Sequence, residues 1–138
     1  MKNNYLFYTA ILLTGIAFLL QSNASGPASN GNRATGAPGD GTACTTCHTG
    51  GSFGNVSIDL SIMDTSGTEV TEYMAGQTYG LTVTVNESMG SPSGYGFQML
   101  SLFDSDNSNV GGWSNQSSNA QLSASSGRNY VEHDGASS

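Results

Sequence analysis

The chain has 138 residues, enough for one domain, and sets three basic side chains against ten acidic ones for a formal charge of −7. That balance excludes a nucleic-acid footprint, which needs clustered Lys and Arg, and electrostatic adhesion to an anionic membrane. Only 9% of the residues are charged and 19 are Gly, so Gly, Ser, Thr and Asn fill positions where an ordinary domain carries charge.

Residues 1–24 read as an export signal rather than as fold. Lys2 supplies a positive start, and Ala10–Leu20 is an apolar run. The run is shorter than the roughly 20 residues a membrane-spanning helix needs. Ser22 and Ala24 are the small residues at −3 and −1 if cleavage follows Ala24. This is the pattern of a Sec-type signal peptide, with an N-terminal membrane anchor as the competing reading. No Cys stands at the cleavage point, so a lipoprotein is not expected. The mature chain is expected to be exported, secreted or at the cell surface with a periplasmic location also open, and to lack an integral membrane segment.

Residues 25–54 form a Gly-rich segment, poor in large apolar side chains and expected to be irregular. Residues 55–138 carry strand patterns. Val56, Ile58, Leu60 and Ile62 alternate with Ser57, Asp59 and Ser61, the period of a half-buried strand. A second short strand is expected over Val70–Met74. Tyr79, Leu81, Val83 and Val85 repeat the alternation. Gly96–Phe103 reads as a strand buried on both faces, and Val110–Trp113 as a short one. Ser114–Ser126 reads as loop, and Arg128–His133 as the last strand. No segment sustains a helical period. Short strands at this spacing predict a mainly β chain, an antiparallel β-sandwich. The chain stops just after a strand without a closing apolar one, so the reading expects an incomplete C-terminus.

The chemistry lies in Cys44-Thr45-Thr46-Cys47-His48. Cys-x-x-Cys-His is the attachment signature of c-type haem. The two thiols add to the two porphyrin vinyl groups, and the following His reaches the iron as its proximal ligand. Attachment takes place outside the cytoplasm, in keeping with an export signal. Three other readings stand beside it. The thiols of an exported chain can close a Cys44–Cys47 disulfide with His48 incidental. A dithiol redox pair lacks the surrounding βαβ pattern. A zinc site would need His133 and carboxylates as further ligands. For the haem, the expected sixth iron ligand is His133, the only other histidine, with Met63, Met74, Met89 and Met99 as the alternatives. Met63 and Met99 sit in strand patterns, whereas Met74 and Met89 sit near turns and are freer to ligate.

Four stretches carry a resemblance. They are Ala34–Gly41 running into Cys44–Gly51, Tyr73-Met74-Ala75-Gly76-Gln77-Thr78-Tyr79, Gly96-Phe97-Gln98-Met99, and Gly127–His133. Together they resemble bacterial secreted proteins with a reelin-type (Reeler-like) β-sandwich, known as choice-of-anchor V domain proteins, over about residues 34 to 135. The resemblance implies an Ig-like sandwich, secreted or cell-surface placement, and often a C-terminal anchor or sorting tail. Family members continue past the Tyr-Val-Glu-His stretch into a Trp-containing strand, which agrees with an incomplete C-terminus here. By position, Cys44, Cys47 and His48 match the haem-type residues and His133 matches the late histidine.

Other features carry less. Asp104, Asp106, Asn107 and Asn109 gather oxygen ligands but lack the Gly and terminal Glu of an EF-hand, so a polar turn is the reading. Asn-x-Ser sequons at Asn23, Asn55, Asn86 and Asn115 matter only in a eukaryotic host. Trp113 and the tyrosines suit either a carbohydrate-contacting face or core and edge positions. No nucleophile triad, phosphate loop or carboxylate pair stands out, so no enzyme is expected. The expectation is a secreted or cell-surface c-type haem protein engaged in electron transfer with an unidentified redox partner. Its rival is an extracellular adhesion or binding module with a Cys44–Cys47 disulfide and no cofactor.

Overall fold

A computed structural model describes residues 8, 9, 11, 13, 25–46, 48 and 51–135. The predicted signal peptide therefore falls almost wholly outside the described residues. The described chain is mainly β, with strands β1 (Val56–Met63), β2 (Gly80–Glu87), β3 (Gln98–Met99), β4 (Ala120–Ser125) and β5 (Arg128–His133), and with 3-10 turns at Ala28–Asn30 and Cys44–Thr46. All pairing between these strands is antiparallel. Two compact units result. One draws on the chain up to Ala43 and from Gly96 onward, and the other is Cys44–Tyr95. No helix among the described residues is long and apolar enough to cross a membrane.

In the Cys44–Tyr95 unit, β1 and β2 form a two-stranded ribbon. Its register sets Ile58 opposite Val85, Leu60 opposite Val83 and Ile62 opposite Leu81. Side chains alternate across a strand, so these residues share one face, and Ser57, Asp59 and Ser61 share the other with Asn86, Thr84 and Thr82. Asn86 donates to Asp59 across the polar face at 2.7 Å. Two strands cannot bury their own apolar face, and Val56, Ile58 and Leu60 stay 51–67% exposed.

The strand expected over Val70–Met74 does not form. One bridge joins Glu69 to Met63, and Val70 N–H reaches Ile62 C=O at 2.9 Å. Side chains then take the backbone donors that a ladder would use. Asp64 accepts from Ser66 N–H and Thr68 N–H at 2.8 and 2.9 Å. The Tyr79 hydroxyl accepts from Met74 N–H at 2.7 Å. The Ser66 and Thr68 hydrogen bonds hold the Asp64 carboxyl below the usual carboxylate range.

In the other unit, β5 is central, flanked by β3 and β4. The structure corrects three expectations here. Ser114–Ser126 is not all loop, because Ala120–Ser125 is β4. Ser126 and Gly127 both take positive φ, 52° and 78°, the primed two-residue turn that folds one strand back on the next. That turn makes a strand of a Ser- and Ala-rich stretch with little β-propensity. Gly96–Phe103 shortens to β3 and is half-buried or exposed rather than buried on both faces. Val110–Trp113 is not a strand. Its place is taken by a bridge between Leu102 and Asn109, closed by Val110 N–H on Ser101 C=O at 3.1 Å.

The 25–43 segment is irregular apart from one 3-10 turn and a Thr35–Ala43 bridge, yet it is packed. Gly26, Pro27 and Ala28 are buried. Two buried carboxylates hold the segment. Glu132, 0% exposed, accepts from Ala28 N–H (2.7 Å), Ser29 N–H (3.0 Å), Gln98 Nε2 (2.9 Å) and Ser123 Oγ (2.7 Å). Asp40 accepts from Arg128 and from the Tyr130 hydroxyl, both at 2.9 Å, and from Thr35 Oγ1. A buried charge persists only when it is met in this way. Gly26 is required on two counts. Its φ is +83°, and a Cβ there would lie 2.6 Å from Glu132 Cγ.

Tyr130 links this network to solution pH. Burial, then the hydrogen bond and negative charge of Asp40, push its hydroxyl up to about 12. The folded chain therefore keeps a proton that the unfolded chain releases near the ordinary tyrosine value of 10.0. Stability from this group is complete below pH 10 and is lost as pH rises towards 12. Urea midpoints measured across that range should fall for the wild type and flatten for Tyr130→Phe. Tyr130→Phe should itself cost about 1 kcal/mol at neutral pH for the lost hydrogen bond.

Candidate functional site

Cys44 opens a 3-10 turn at the start of the Cys44–Tyr95 unit. His48 N–H closes it on Cys44 C=O at 3.0 Å, an i to i+4 bond. In a helical turn the positions i, i+3 and i+4 share one face, so the bond sets Cys44 and His48 in that relation. Both are exposed. Cys47 lies outside the described residues.

The stretch leading into the turn is closely specified. Gly36 N–H bonds Thr42 C=O at 2.7 Å and Thr42 Oγ1 bonds Arg33 C=O at 2.8 Å. Asp40 fastens this loop to Arg128 and Tyr130 of β5. Gly39 makes room for that ion pair, since a Cβ there would lie 2.7 Å from an Arg128 guanidinium nitrogen. The loop ends at Ala43, the residue before the motif.

Downstream, residues 53–55 and 88–89 continue the ribbon past β1 and β2. Ser88 N–H bonds Asn55 C=O and Met89 N–H bonds Phe53 C=O, both at 3.1 Å, and Asn55 N–H bonds Ser88 Oγ at 2.8 Å. Met89 is 64% exposed. Met63 and Met74 belong to the same unit, while Met99 stands in β3 of the other.

His133 ends β5, in the unit that does not contain the motif. Its Nδ1 lies 3.1 Å from Phe97 N and 2.9 Å from Phe97 O. Gly96 is the residue that lets the ring sit there, because a Cβ would come 2.9 Å from the imidazole.

The residue types of the motif are those that covalent haem c uses, and the two that the structure describes, Cys44 and His48, are exposed. No cluster of three His, Cys, Asp or Glu able to hold a bare metal ion occurs among the described residues, and haem needs none, since the porphyrin supplies four ligands. Two surface concavities, of about 250 and 350 Å³, are lined by residues drawn from 64–79 and from 112–130 and include neither Cys44 nor His48. Asp40, Arg128 and Tyr130, which fix the loop before Cys44, were not legible as a group in the sequence. The Gly-Asp-Gly run at 39–41 was the only local signal. Comparison with protein-family models, curated proteins and solved structures finds no match.

Proposed function

We propose that this chain is an exported c-type haem protein that carries electrons at or beyond the cell envelope. One observation supports it above the others: Cys-x-x-Cys-His begins in a solvent-exposed turn that sets Cys44 and His48 as an i, i+4 pair. In this reading the Cys44 and Cys47 sulfurs tether the haem as thioethers and the His48 imidazole is the proximal ligand. The bound haem supplies a one-electron couple. The chain supplies attachment, orientation through the turn, and an exposed edge for transfer. The signal-peptide pattern of residues 1–24 supports export. A Reeler-like, Ig-like sandwich belongs to the same proposal and is supported by the antiparallel pairing and by the apolar–polar alternation of β1 and β2.

Intact-mass spectrometry under denaturing conditions tests the proposal on protein secreted by a host that matures c-type cytochromes. The expected mass is that of the chain plus one haem. The bare mass of an oxidised dithiol would overturn it in favour of an extracellular binding module with a Cys44–Cys47 disulfide.

A further inference from the structure

Resting on the haem reading above, we infer that Met89 is the axial thioether ligand that faces His48 across the iron. Met63, Met74 and Met89 share the Cys44–Tyr95 unit with the motif. The chain enters β1 from the motif at Val56, and β1 runs from there to Met63. Val56 pairs with Glu87, whereas Met63 pairs with Gly80. Met89 follows β2 at the Val56 end, the end at which the motif joins the ribbon.

Distances separate the candidates. Five peptide steps link His48 to Phe53, a span of at most about 18 Å when fully extended. Phe53 C=O bonds Met89 N–H directly, so Met89 is tied to the chain five residues after His48. Met63 lies at the far end of an eight-residue strand, about 24 Å further on at the rise of an antiparallel strand. Met74 stands at that end too, its N–H held by Tyr79 just ahead of β2.

The surroundings of Met89 suit a ligand. Gly54, with φ +69°, leaves room for it, since a Cβ there would lie 3.0 Å from Met89 Cγ. Its side chain is not used in a core, being 64% exposed. Phe53 and Val56 at the same end are 37% and 58% exposed, apolar surface of the kind a porphyrin plane covers. A thioether opposite the imidazole raises the potential of the couple above that of a bis-His site.

The test uses the haem-loaded protein and optical and EPR spectra. The wild type should be low-spin, with the far-red charge-transfer band of a methionine–ferric iron bond. Met89→Leu should lose that band, turn high-spin and fall in potential. Met89→His should return to low-spin without the band. Met63→Leu, Met74→Leu and His133→Ala should keep the wild-type spectrum. A Met89→Leu protein with the wild-type spectrum, or loss of that spectrum in any of the other three, would overturn the assignment and leave the haem reading standing. A wild-type protein without haem would remove the haem reading itself, and the assignment with it.

Discussion

The double variant Cys44→Ser, Cys47→Ser is expected to be secreted as a colourless protein that melts where the wild-type apoprotein does. Loss of covalent haem should be complete, because serine hydroxyls do not add to the porphyrin vinyl groups. The turn should survive, since the bond from His48 N–H to Cys44 C=O is backbone to backbone and the residues before it are held by Asp40. Cys44 is exposed, and exposed substitutions of this kind shift stability by about 0.5 kcal/mol or less. Soret absorbance of the secreted protein together with a urea melt checks both halves. Retained covalent colour would show that the thiols are not the tether.

Glu132→Ala should be the most damaging single change to the fold. Glu132 is fully buried and accepts four hydrogen bonds, two of them from the backbone of Ala28 and Ser29. Truncation leaves those donors without their acceptor and opens a cavity beside β5. The expected cost is about 3 kcal/mol or more, since each buried donor left without a partner costs about 1–3 kcal/mol. Domains of this size are stable by about 5–15 kcal/mol in total, so the change should remove a large share of the stability. Glu132→Gln keeps the volume but points an amide N–H₂ at donors, and should cost about 1–3 kcal/mol. Urea unfolding of the full chain reads both values. A cost under 1 kcal/mol for Glu132→Ala would show that residues 25–30 do not depend on this carboxylate.

What the sequence made legible was local. The alternation over Val56–Met63 and Tyr79–Val85 marks two strands because a period of two survives any tertiary context. Arg128–His133 was legible for its Tyr-Val pair between charged ends. β4 was hidden, because Ala-Gln-Leu-Ser-Ala-Ser has one large apolar residue and depends on the Ser126-Gly127 turn for its place. Val70–Met74 failed in the opposite direction: apolar content suggested a strand, and the Tyr79 hydroxyl took the Met74 backbone donor.

The site divides the same way. Cys44, Cys47 and His48 are visible because their spacing is that of the haem-attachment signature. The buried carboxylates are invisible because Asp40 and Glu132 look like solvated charge until residues about a hundred positions away meet them, as Ala28 meets Glu132. His133 was proposed as sixth ligand for being the second histidine, and composition says nothing of the Phe97 backbone that engages its ring. Met89 could not be told from Met74 by composition or proximity to turns. The register of β1 on β2 puts one at the motif end of the ribbon and the other at the opposite end.

The pyridine haemochrome spectrum of the purified, secreted protein tests the central claim most directly. The account predicts a reduced α-band of c type that persists after denaturation and solvent extraction, at one haem per chain. A colourless protein without titratable thiols would contradict it, and would mean that Cys44 and Cys47 form a disulfide.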